Sequence, residues 1–278
     1  MNEQDKNNQP AKTRSESSGD SPGELRSDVT IMLQTFQAHK LVHGRRSDRD
    51  NGVGSIVGLL EFGRRMKLIW MSAEQDDPFA DWYLLEIEQL LEKARESIAH
   101  AQDRIEKSLG AMEGVDVQIA ETESPIIVKL QFNNPYGYKA AYSLLDFDKL
   151  VRSLLTARHI GILDRSACDA KIRSAGGPLR HAFFHATKWG FTGVVRKDIQ
   201  LETQAAKRAI ELFGECPDLV VRGEKRADFA PLIKKASIDT VDSNTPDAVL
   251  NGSSEQGEDD MFVVEANTTV TEKTSKAL

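Results

Sequence analysis

Between Asp77 and Ile105 the apolar residues recur in steps of three and four: Leu84, Ile87, Leu91, Ala94, Ile98, Ala101 and Ile105. Asp77 is a good N-cap, and Pro78 sits where a helix tolerates proline best. This spacing predicts one helix of about 30 residues, roughly 45 Å long. Its apolar seam is heptad-like and needs another helix to cover it, from the same chain or from a second copy. The opposite face is mostly acidic and is read as a solvated face rather than a general acid/base pair.

The flanking segments follow other periods. Asp28 to Thr35 alternates, with Val29, Ile31 and Leu33 on one side and Thr30, Met32 and Gln34 on the other. That is a strand with one buried face. Phe36 to Val42 extends it or begins a helix. A basic loop runs from Gly44 to Ser55, and Ile56 to Met71 is expected to be helical. Beyond Gly114 the period becomes two. Pro125–Phe132 and Tyr138–Leu144 are expected strands, joined as a hairpin by Asn133-Asn134-Pro135-Tyr136-Gly137. Asp146 opens a helix carrying Phe147, Leu150, Val151, Leu154 and Leu155, which Gly161 stops. Asp164 caps a second helix, expected to break at Gly176-Gly177-Pro178, and a last helix spans about 198–213.

Charge divides the chain. Residues 74–123 hold four basic and fourteen acidic groups, whereas residues 149–208 hold twelve basic and four acidic. The overall −7 is concentrated in the ends, because residues 238–278 carry nine acids against two bases. One part of the body attracts an anion while another repels it. Residues 1–24 and 238–278 lack apolar periodicity and are expected to be disordered tails around a single α+β body at 25–237. Met261 to Glu265, MFVVE, is the exception, a short apolar patch that is either a chance sticky segment or a docking strand folding against a protein partner or the body.

Several classes of chemistry find no support. No apolar run approaches the ~18 residues of a membrane helix, and the N-terminal residues contain no apolar signal core. Cys168 and Cys216 form no CxxC and read as inert thiols of a cytoplasmic protein. His39/His43 and His181/His185 have the i, i+4 spacing of zinc ligands, yet neither pair sits in HExxH or has a third ligand nearby. No GxGxxG after a strand, GxxxxGK[ST] or GxSxG is present. The expectation is a protein that is not an enzyme and takes no cofactor or metal.

The positive signal lies in residues 126–187. A strand, an amphipathic helix, a glycine-bearing turn and a second capped helix follow in order, which is the ribbon-helix-helix layout. There, paired strands enter the major groove and a helix N-terminus takes a phosphate. Arg165 and Ser166 would occupy that terminus. The layout departs from the standard motif in one respect, because both strands of the ribbon would come from one chain.

The runs LRSDVTIMLQT, LVHGRR, QDDPFADWYLLEIEQLLEKA and VKLQFNNPYGYKAAYSLLDFDKLVRSLLTARHIGILDR resemble the integrating conjugative element protein family, whose plasmid relatives include AcaB-type transcriptional regulators. The likeness spans about Leu25 to Phe213, and Gln131 to Arg165 is its most specific part. It implies a bacterial protein of a mobile element. It also implies a homodimer that binds double-stranded DNA through a ribbon-helix-helix-like fold and switches on transfer genes. On that reading the groove contacts are Lys129, Gln131, Lys139, Ala141 and Ser143, opposite Val128, Leu130, Tyr138, Ala140 and Tyr142. Arg152, Arg158, Arg165, Arg173 and Arg180 are the phosphate candidates, and Arg45 and Arg46 form a loop that reaches the backbone or the minor groove. Asp28–Thr35 is the other candidate ribbon strand. The alternative is a non-enzymatic accessory protein of the element, dimerising through the long helix and holding a basic partner on its acidic face.

Overall fold

The computed structural model describes residues 29–48, 50–111 and 113–234. The expected tails, MFVVE included, lie outside them. The fold is α+β, as its sequence pattern indicates. In chain order come β1 (Val29–Leu33), α1 (Phe36–His43), β2 (Gly44–Arg45), β3 (Ile56–Val57), α2 (Leu59–Glu74) and α3 (Pro78–Gly110). β4 (Ile126–Leu130), α4 (Pro135–His159), α5 (Arg165–His185), α6 (Arg196–Gln200), α7 (Gln204–Phe213) and α8 (Asp218–Val221) follow.

Helix α3 is the axis of the molecule. Asp77 Oδ1 accepts the amides of Phe79 and Ala80, and Pro78 occupies the first turn. Leu84, Ile87, Leu91, Ala94, Ile98 and Ile105 are buried, and α4, α5 and α2 of the same chain pack on α3. The seam is therefore covered from within.

Two expected features are corrected. Tyr138–Leu144 is not a strand, and it pairs with nothing as a hairpin: it lies inside α4. Asn134 Oδ1 accepts the amides of Tyr136 and Gly137, and Pro135 follows it, so NNPYG is a helix start rather than a hairpin loop. Tyr136, Ala140, Ala141, Leu144, Phe147 and Leu150 then form a buried stripe at helical spacing. Nor does Gly176-Gly177-Pro178 break the second helix, because α5 continues through it. Pro178 has no N–H to donate to the Ser174 carbonyl, and one residue earlier the Arg180 guanidinium donates to the Arg173 carbonyl at 2.9 Å. Gly176 makes room for neighbours rather than a turn: a Cβ there would lie 2.5 Å from the Arg180 guanidinium and 3.2 Å from the Phe147 ring of α4.

Smaller differences follow from local chemistry. Ile56 and Val57 are a short strand before α2 rather than its first turn. The expected helix at 198–213 is two helices, α6 and α7, the second capped by Thr203.

The partner of β4 is β1. The two strands are antiparallel, with Val29 opposite Leu130, Ile31 opposite Val128 and Leu33 opposite Ile126. Both ends of this ribbon are fastened to the helices. At the β1–α1 corner, Asp148 of α4 accepts from the amides of Gln34 and Thr35 and from Thr35 Oγ1, at 2.9, 2.8 and 2.6 Å. Beyond β4, the Phe132 ring fills a slot between Gly63 of α2 and Gly137 of α4. A Cβ at either glycine would come within 2.2 to 2.3 Å of that ring.

Candidate nucleic-acid interface

The alternation of β1 and β4 decides which side chains the ribbon presents. Val29, Ile31, Leu33, Ile126, Val128 and Leu130 face the helices. Thr30, Met32, Ile127, Lys129 and, just past the strand, Gln131 face solvent. Thr30 lies opposite Lys129 and Met32 opposite Ile127. The middle of the face is apolar, since Met32 is 58% and Ile127 49% exposed. The two candidate ribbon strands thus meet in one ribbon, through Val29–Leu33 and Ile126–Leu130.

The segment entering β4 is held in place from two sides. Arg152 donates to the Ala120 carbonyl at 3.0 Å and to Glu121 at 2.9 Å. Thr156 Oγ1 accepts the Ala120 amide, and Gln34 Oε1 accepts that of Thr122. Arg152 is therefore a strap for the ribbon rather than an open cation.

Lys139 and Ser143, expected on a groove-facing strand with Ala141, sit on α4 instead. Lys139 pairs with Glu88 of α3 at 2.7 Å and its ammonium lies 4.1 Å from the Phe229 ring centroid. Ser143 is buried and donates to the Lys139 carbonyl. Ala141 is buried outright. Their side chains are occupied by the helix core.

The remaining basic candidates gather around the α4–α5 corner. Arg158 ends α4 and is exposed. Arg165 opens α5, and its guanidinium lies 3.9 Å from Asp169. Arg165, Ser166, Asp169 and Arg173 line a shallow open depression. Asp164 caps α5 through the Ala167 amide, and no intrahelical acceptor exists for the amides of Arg165 and Ser166. Arg180 belongs less clearly to this set. It is half-buried, it is bonded to the Arg173 carbonyl, and burial pulls its pKa below the ordinary arginine range.

A second charged cluster was invisible in sequence. Asp81, fully buried on α3, accepts two bonds from Arg226 at 2.8 Å each and another from Arg196, which also bonds Asp76. Its partners lie 115 and 145 residues away. With the Trp70 Nε1 bond to the Phe229 carbonyl and the Lys234–Glu74 ion pair, it fastens residues 196–234 to α2 and α3. Its function is structural: every charge in it is answered within the cluster.

Among the described residues no three His, Cys, Asp or Glu side chains are grouped to hold a metal ion, and no helix is long and apolar enough to cross a membrane. His185 bonds Glu86 at 2.7 Å and stacks on Tyr83, and His39 lies edge-on to His43. Cys168 is buried, and Cys216 is half-buried with its thiol pushed up to about 12, mainly by burial.

A helical α+β body that carries a solvent-facing two-stranded ribbon and a basic helix corner is the class defined by these features. The family model described as transcriptional regulator AcaB matches residues 21–234, and the chain belongs to that family. Among solved structures the chain matches the crystal structure of selenomethionine-containing AcaB from uropathogenic E. coli. The two are 12% identical, the TM-score is 0.47, and the match covers 74% of this chain and 98% of that one. No curated protein sequence matches the chain.

Proposed function

We propose that the protein is a DNA-binding regulator of conjugative transfer genes on a mobile element, acting as a homodimer. Membership of a family of transcriptional regulators supports the regulatory role. The observation that carries the DNA reading is the ribbon: an antiparallel pair whose inner face is core and whose outer face is solvent. A two-stranded ribbon fits the major groove, where side chains reach base edges. Thr30, Lys129 and Gln131 offer hydrogen bonds there, and Met32 and Ile127 offer apolar contact to a thymine methyl. The order β4–α4–α5 keeps the strand–helix–helix sequence, with β1 of the same chain supplying the second strand. Arg158, Arg165, Ser166 and Arg173 are then the phosphate contacts, since a helix N-terminus and its cations suit an anion.

A DNA-shift assay on a duplex from upstream of the gene, at two salt concentrations, tests this reading. Lys129→Ala is expected to cost about 1 to 3 kcal/mol on the specific duplex and to relax one base position. Arg158→Ala or Arg165→Ala is expected to weaken binding to all sequences and to lower the salt slope by about one. If the parent shifts no duplex, the exposed Met32–Ile127 pair favours the accessory role, with a protein partner on the ribbon.

A further inference from the structure

Residues 44–48 and 53–57 pair as the two sides of a hairpin between α1 and α2. β2 pairs with β3, Gly44 opposite Val57 and Arg45 opposite Ile56. Further out, Asp48 and Val53 exchange two backbone hydrogen bonds of 2.8 Å each. The Asp48 carboxylate accepts from the Asn51 amide and from its Nδ2 at 3.3 and 2.7 Å, and Gly52 takes the left-handed conformation that the turn requires. The Arg45 guanidinium reaches across to the Gly54 carbonyl at 2.9 Å.

The neck is as tightly built. Gly44 has φ +71°, and a Cβ there would lie 2.2 Å from the Ile56 carbonyl oxygen. A Cβ at Gly58 would lie 2.4 Å from the Gly44 nitrogen. Two glycines in mutual contact thus clamp the arm to the end of α1 and the start of α2. Ile56 and Val57 pack into the main core, and β3 lies against α1 and α5. The ribbon strand β1 is one short helix away, about 12 Å at 1.5 Å per residue.

The described residues of this arm bury almost nothing. Arg45, Arg46, Ser47, Asp48, Asp50, Asn51, Gly52, Gly54 and Ser55 are all exposed, and Val53 is half-buried. Core packing gives no reason for its length. At about 3.3 Å per residue it extends roughly 20 Å from the neck, enough to pass from one groove of a duplex to the next backbone. Among the described residues Arg46 makes no ion pair, and α1 adds Lys40 and His43, both exposed, at the arm's base.

We propose that this hairpin is a second DNA contact, an arm that lays Arg46 along the sugar-phosphate backbone beside the groove taken by the ribbon. The proposal rests on the DNA-binding reading above. Asp48 is tied to Asn51, whereas the tip carboxylate of Asp50 has no partner among the described residues.

The test is a shift assay and a hydroxyl-radical footprint on the upstream duplex and on a random duplex, with the full chain. Arg46→Ala is exposed and leaves the fold intact. It is expected to weaken binding to both duplexes by roughly three- to tenfold and to lower the salt slope by about one. Protection should be lost on the flank while the centre is kept. Asp50→Asn is expected to tighten both. Lys207→Ala removes the same charge from α7 and is the control. If Arg46→Ala matches the parent while Lys129→Ala loses the specific duplex, the arm is not a DNA contact and the ribbon reading stands. An equal loss in Lys207→Ala also overturns the arm, because the effect is then one of net charge. A parent that binds neither duplex removes the DNA reading and the arm together.

Discussion

Asp77 caps the longest helix at a cost that depends on pH. Its Oδ1 accepts two amides, but its buried Oδ2 has no hydrogen-bond partner among the described residues. Burial is the main reason its pKa is pushed up to about 6 from an ordinary 3.8, with Asp81 adding to the rise and the two amides and Arg196 opposing it. A carboxyl with a raised folded pKa binds its proton more tightly in the folded state. The parent therefore loses stability as pH rises from about 4 to about 6. A shift of about two units corresponds to about 3 kcal/mol of penalty above that window and none below it. Asp77→Asn keeps the cap, since asparagine is as good an N-cap as aspartate. Its buried amide nitrogen costs about 1 kcal/mol in return. The expected result is a variant more stable than the parent by about 2 kcal/mol at neutral pH. The advantage should shrink as pH falls through the window and reverse below it, leaving the variant weaker by about 1 kcal/mol. Urea unfolding of both proteins across that range measures the difference, in which the other titrating groups cancel. A difference that does not change with pH, or a variant weaker at neutral pH, would refute the reasoning.

Removing the Asp81 carboxylate leaves Arg226 without an anion and Arg196 with Asp76 alone, so Asp81→Ala should cost about 3 to 5 kcal/mol in urea unfolding. Arg226→Ala should cost less, because Arg196 still answers Asp81; the reverse order would disprove the assignment of Asp81 as the hub. Leu91→Ala and Ile98→Ala should each cost about 2 to 5 kcal/mol. The loss should be the same at all protein concentrations, because α4 and α5 of the same chain cover the seam; a midpoint that moves with concentration would place the seam between copies.

What could be read in the sequence was whatever depends on short-range order. The α3 cap and seam were legible because Asp77, Pro78 and a run of three- and four-residue steps all point the same way. The burial alternation of β1 and β4 was legible for the same reason. Residues 138–144 failed because two periods coexist there. Tyr138, Ala140, Tyr142 and Leu144 alternate, yet Tyr136, Ala140, Leu144 and Phe147 also fit a helix. The deciding signal was Asn134-Pro135, which serves a turn or a helix start equally well until the helix behind it is known. Gly176-Gly177-Pro178 failed differently. Its composition says break, and only the packed neighbours, Arg180 of the same helix and Phe147 on α4, explain why glycine fits inside a helix.

The site was legible only in part, because a ribbon is a pairing and its chemistry belongs to both strands. Period two told which residues of each strand face out, but no local rule says that β1 pairs with β4 across nearly a hundred residues. Once that pairing is known, the outward residues Thr30, Met32, Ile127 and Lys129 become one surface. The fasteners of that surface are long-range as well: Asp148 meets Thr35 from 113 residues away, and Arg152 meets Ala120 from 32. The same logic separates the basic candidates. An arginine near a helix end looks alike in sequence whether it straps a loop, as Arg152 does, bonds a carbonyl of its own helix, as Arg180 does, or stands open to solvent, as Arg158 does. Only the partner decides, so charge counted along the chain overstates the cations left for an anion.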